Sequence, residues 1–255
     1  MAIQSRSRLD TWLPALLLFA GSAVFLSAGR LHPHINASLG EVGSDDFFRR
    51  FAAEMLQLPN WESMHLGILL GPVFWALAAG GTARLLPARA TSFGDIGRNA
   101  LLLAAALWSL AFVLDGFVGP GLAEAIATAG VGADAVAIRA FRANALTMAR
   151  LGMLSVVLMG AAMFTFAAAL LVGSRLRSWR TAVGVLGVAT GAWPMVAAVR
   201  GEFYPGPFTS PYWTLIALSI GLWFLLLGTV LPSLGEREPN PERGGGLART
   251  GGQAD

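Results

Sequence analysis

Six separate stretches of this 255-residue chain are each long and apolar enough to cross a bilayer, at roughly 11–29, 64–86, 99–118, 144–172, 181–199 and 212–232. The hydrocarbon core is about 30 Å thick, which a helix spans with about 20 apolar residues. No water is present there to satisfy backbone polar groups, so each such stretch must be helical. The fold class expected is therefore an all-α integral membrane protein with six transmembrane helices. Composition agrees: 55% of residues are hydrophobic and only 13% are charged, against about 25% charged in an ordinary soluble domain.

The first stretch follows Arg6 and Arg8, as a secretory signal would. The region Leu26-Ser27-Ala28 puts Leu where a cleavage site needs a small residue, so the stretch reads as a retained anchor. Arginine placement sets the orientation. The N-terminus, the loops with Arg84, Arg89, Arg98, Arg175, Arg177 and Arg180, and the tail with Arg237, Arg243 and Arg249 fall on one side. The acids Glu41, Asp45, Asp46, Glu54 and Glu62 fall on the other. The organisation expected is a cytoplasmic N-terminus (1–10), a six-helix domain (11–232) and a disordered cytoplasmic tail (233–255). All the basic side chains except His are Arg, a bias that GC-rich coding produces, so a bacterial inner membrane is the expected location. A net charge of +3, scattered over loops, offers no patch for nucleic acid.

In the first outer loop Ser44-Asp45-Asp46 reads as a helix N-cap with acids in the first turn. Phe47, Phe48, Phe51, Met55 and Leu58 follow at helical spacing. Such a segment is expected to be an amphipathic interfacial helix on the outer leaflet, or else a helix packed over the span ends. No Pro or Gly interrupts Ala135 to Leu151, so span four should begin well before the bilayer.

The chain partly matches itself at a shift of 85 residues, with 13 identities in 56 positions from 66 to 121. Trp108 falls on Trp193, Gly116 on Gly201 and Pro120-Gly121 on Pro205-Gly206. Spans one, three and five also share Gly-x-x-x-Pro at their ends, which suggests three parallel helical hairpins. Ordinary helix punctuation accounts for the same glycines and prolines.

With no cysteine and no lysine, thiolate chemistry, Schiff bases and a Walker lysine are excluded. No motif specifies a cofactor. What needs explaining is a set of polar residues at the outer ends of the spans. Asp115 and Arg200 occupy matching repeat positions and are expected to pair, bridging spans three and five; a substrate or proton site is the alternative. Glu62 and His65 lie at i, i+3 and join Asp115 as candidate acid–base groups. Arg139, Arg142, Arg150, Arg200 and Asn144 form a candidate set for an anionic head, with plain lipid anchoring as the blander reading. His32, His34 and His65 are a minority metal set for copper or zinc. Pro33 stiffens the backbone between the first two, and nothing in the spacing brings His65 near. The reading without a metal is therefore preferred.

Prolines inside spans two and five, Pro72 and Pro194, release the carbonyls of Ile68 and Thr190. Gly187-x-x-x-Gly191 offers a smooth face for packing within the chain or for oligomerisation. No ionisable group falls near the bilayer midplane, which argues against proton-coupled transport. The function expected is that of a binder or accessory scaffold handling a membrane lipid or small amphiphile at the outer end of the bundle. A membrane-embedded enzyme using acid–base chemistry on a lipophilic substrate is the alternative.

Overall fold

In the computed structural model, residues 8–32, 41, 43–129, 134–172, 174, 178–200 and 211–235 are described. Six helices in it are long and apolar enough to cross a membrane. They are α1 (Arg8–Leu31), α3 (Trp61–Leu85), α4 (Thr91–Val113), α6 (Asp134–Leu171), α7 (Trp179–Val199) and α8 (Pro211–Gly235). Two shorter helices, α2 (Asp45–Gln57) and α5 (Gly119–Thr128), lie at the end of the bundle opposite Arg8 and Gly235. That end is called distal below. The expected disordered tail lies outside the described residues beyond Gly235, as do residues 1–7 of the N-terminus.

Chain neighbours are neighbours in space. Helix α1 packs on α3, α3 on α4, α4 on α6, α6 on α7 and α7 on α8, and α8 closes the ring against α1. Between helices in lipid there is no hydrophobic drive to associate, so close van der Waals fit and polar contacts decide the packing. Two crossings show the first effect. A Cβ on Gly21 of α1 would stand 2.7 Å from the Gly71 carbonyl oxygen of α3, and one on Gly160 of α6 would stand 2.6 Å from that of Gly191 in α7. Only glycine lets the backbones approach so closely. Gly187 faces Trp223 and Ala167, so the glycine face of α7 is occupied within the chain.

Buried polar side chains supply the second effect. Ser155 donates to the Ala104 carbonyl at 2.7 Å, and the Trp75 indole donates to Ser22 Oγ at 3.2 Å. The carbonyl that Pro72 releases does not await a ligand: Trp108 Nε1 of α4 donates to Ile68 O at 3.1 Å. Arg180 caps the end of α6, donating to Leu170 O at 2.9 Å and Val172 O at 3.3 Å. Helix α6 runs 38 residues without a break, about 57 Å at 1.5 Å per residue, longer than the roughly 30 Å hydrocarbon core.

Helix α2 begins where expected, with Ser44 Oγ accepting from the Phe47 N–H at 3.1 Å. Its apolar face is not turned to lipid. Phe47, Phe48, Phe51, Ala52 and Met55 are all buried, and α2 packs on α5 and α6. Of the two readings, packing over the span ends is the one observed, because aromatic partners such as Phe141 on α6 cover the face. Ion pairs from Arg49 to Asp134 (3.0 Å) and from Arg142 to Asp45 (3.7 Å) latch α2 to α6.

Candidate functional site

At the distal end α4 does not stop. It widens into a π turn, Leu114–Val118, and continues as α5. A π turn inserts a residue into the helical ladder and loosens its backbone bonds, and such turns recur at functional sites. Here neighbouring side chains support the loosened carbonyls. Trp61 Nε1 of α3 donates to Asp115 O at 2.9 Å, and Asn144 Nδ2 of α6 donates to Leu114 O at 3.0 Å. Asn144 thereby supports the turn.

The turn aims Asp115 inward. The residue is only 7% exposed, and its Oδ2 stands 3.0 Å from Nε2 of the fully buried His65. The other ring nitrogen of His65, Nδ1, lies 2.7 Å from the Trp61 carbonyl oxygen. A carbonyl only accepts, so Nδ1 carries a proton and donates. Nε2 then faces Oδ2. Two lone pairs would repel at that distance, so a proton or a metal ion must lie between them. The second carboxylate oxygen, Oδ1, has no hydrogen-bond donor among the described residues.

Aromatic rings fix the imidazole. Trp61 stacks on it at 4.4 Å, Phe112 lies 5.6 Å away, and His32 meets it edge-on at 5.0 Å. Gly116 makes the approach possible, since a Cβ there would stand 2.5 Å from His65 Cβ. One donor atom each from His32, His65 and Asp115 fall within 4.8 Å of one another.

Beside this cluster is an open, mostly apolar cavity of about 780 Å³, several of whose lining residues are exposed. Val24, Ser27 and Leu31 of α1 line one side, and Leu58, Asn60, Trp61 and Met64 the other. Trp61 borders the cavity and also stacks on His65. A pocket of roughly 300–1,000 Å³, mostly apolar with a few polar groups, is the usual form of a small-molecule site.

The expected residues are thus partly brought together and partly dispersed. His65 and Asp115 meet. Glu62, on the same helix, is exposed on another face and does not join them. The Asp115–Arg200 bridge is not formed: Asp115 pairs with His65, and Arg200 is exposed at the end of α7, which packs on α6 and α8. The repeat alignment equated two positions whose helices occupy different places in the ring. Arg142 is engaged by Asp45 and lies over the Phe48 ring, while Arg139 and Arg150 are exposed. His34 lies outside the described residues.

Trp61 was not among the candidate site residues, yet it contacts His65 and borders the cavity. The signal for it was its place four residues before His65, one turn away on the same helix face. Comparison with family models, with curated proteins and with solved structures gives no match to this chain.

Proposed function

We propose that this multi-pass membrane protein binds a small amphiphile at its distal end, which arginine placement assigns to the outer face of an inner membrane. The cavity beside Trp61 carries this reading. It has a volume suited to an acyl or isoprenoid-sized group, and its wall is mostly apolar with Ser27, Asn60 and Ser63 as polar contacts. The His65–Asp115 pair lies behind Trp61, on the far side of the wall, and does not itself line the site. The arrangement is that of a binder or accessory protein more than of a catalyst. A general acid or base must come within hydrogen-bond reach of the substrate's proton. His65 has no exposed surface, and both its nitrogens are engaged.

Acid–base catalysis on a lipophilic substrate is the second reading. It is favoured by one observation, that Asp115 Oδ1 has no hydrogen-bond donor among the described residues.

The test is native mass spectrometry of the full chain released from mild detergent. Wild type should carry a defined amphiphile, and Ser27→Trp, which fills the cavity from α1, should lose it while remaining folded. If Ser27→Trp retains the same bound species, the cavity is not its site.

A further inference from the structure

We infer that His32, His65 and Asp115 bind one divalent first-row transition-metal ion. The inference rests on these three side chains and not on the cavity.

His65 has the form of a metal ligand. Such a histidine usually donates its other ring N–H to a carbonyl or carboxylate, which fixes the ring and raises the basicity of the ligating nitrogen. His65 Nδ1 does this with Trp61 O at 2.7 Å, leaving Nε2 directed at Asp115. Stacking on Trp61 and contact with Phe112 hold the ring against rotation. The π turn and its two supporting bonds, from Trp61 and Asn144, hold the carboxylate in place. Both ligands therefore sit on rigid elements before any ion arrives.

The spacing fits. Zinc–nitrogen and zinc–oxygen bonds of about 2.0–2.2 Å place two ligand atoms about 3.4 Å apart at a tetrahedral angle. His65 Nε2 and Asp115 Oδ2 are 3.0 Å apart. The three donor atoms lie within 4.8 Å of one another, so closure needs a shift on the order of 1 Å. His32 can supply that shift, because it stands just past the end of α1 and is only half-buried.

The donor chemistry narrows the ion. Two imidazoles and one carboxylate suit zinc(II), iron(II) and their divalent neighbours. With no cysteine in the chain, nothing here favours a thiolate-loving ion. Three protein ligands leave a position for water or another ligand. One carboxylate leaves a divalent ion with an uncompensated charge, so an anionic fourth ligand is favoured.

The experiment uses the full chain in mild detergent, stripped with a chelator and titrated with zinc(II) alone, with cobalt(II) as the spectroscopic probe. Wild type should retain one zinc per chain after desalting and give the visible bands of cobalt in nitrogen–oxygen coordination. His32→Gln and Asp115→Asn should each weaken zinc binding by at least about 10-fold, the lower bound for disturbing even an outer support of a metal site. Glu62→Gln, on the exposed face of the same helix, should bind as wild type. His32→Gln changes a half-buried residue outside the helices, so an unaltered circular dichroism spectrum shows that its loss of metal is not unfolding. Ser27→Trp should keep the zinc while losing the amphiphile, which separates this inference from the cavity reading. Sub-stoichiometric zinc in wild type, or undiminished binding by His32→Gln and Asp115→Asn, overturns it.

Discussion

The indole of Trp108 on α4 donates to the carbonyl of Ile68 on α3, 3.1 Å away, at the point where Pro72 has removed that carbonyl's own helical donor. A proline defect in one span is thus closed by a tryptophan from the next, and the two helices are tied together at that depth.

Trp108→Phe should leave the Ile68 carbonyl buried without a donor, at a cost of about 1–3 kcal/mol. Pro72→Ala restores a backbone N–H at residue 72. The double variant should therefore melt above Trp108→Phe alone when thermal unfolding is followed in detergent. Strictly additive losses would show that the bond contributes nothing.

Two glycines of the same segment should respond differently to alanine. At Gly116 the new Cβ meets His65 Cβ at 2.5 Å, an atom fixed to the backbone of α3. Gly116→Ala should cost about 1–3 kcal/mol, as overpacking does, and should disturb the His65 ring. At Gly119 the nearest atom is Met55 Cε at 3.2 Å, the end of a flexible thioether. Gly119→Ala should stay within about 1 kcal/mol of wild type. Equal effects in thermal melts would contradict the packing described.

Breaking the buried pair should be costly. Asp115→Leu leaves the buried His65 Nε2 without its partner and should lower stability by about 1–3 kcal/mol. Asp115→Asn keeps shape and hydrogen-bonding capacity and should cost less. Arg200→Gln changes an exposed side chain and should cost no more than about 1 kcal/mol. Melting temperatures of the three variants check this. An Arg200 effect as large as that of Asp115→Leu would revive the bridge between spans three and five.

Reporter fusions at residues 89, 177 and 245 should read cytoplasmic, and fusions at 45 and 130 external, following the arginine asymmetry. An external signal at 177 overturns the orientation.

The spans were legible because lipid imposes one requirement that any sequence must meet, about 20 apolar residues in a helix. The Ser44 cap and the length of α6 were legible because both are set locally. Asp115 and His65 were grouped as candidate acid–base residues, but their direct hydrogen bond was not foreseen. Which faces of α3 and α4 meet depends on helix rotation, and the π turn at Leu114–Val118 rotates Asp115 in a way no hydropathy pattern encodes. The 85-residue match directed Asp115 to Arg200 instead, on a helix that packs elsewhere in the ring. The matched tryptophans also differ: Trp108 is buried and bonded to Ile68, while Trp193 is only partly buried. Gly116 was the available clue, since a glycine beside an intramembrane acid marks where another helix comes close. The amphipathic pattern of α2 named its buried face but not what would cover it.

Photo-crosslinking with a diazirine-bearing amphiphile, followed by mapping of the labelled peptides, tests the binding site most directly. The account predicts labelling concentrated on residues 23–31 of α1 and 58–64 at the start of α3, competed by excess unlabelled amphiphile and lost in Ser27→Trp. Labelling spread evenly over lipid-facing positions such as Leu102, Leu110 and Leu218, and unchanged by Ser27→Trp, would contradict it.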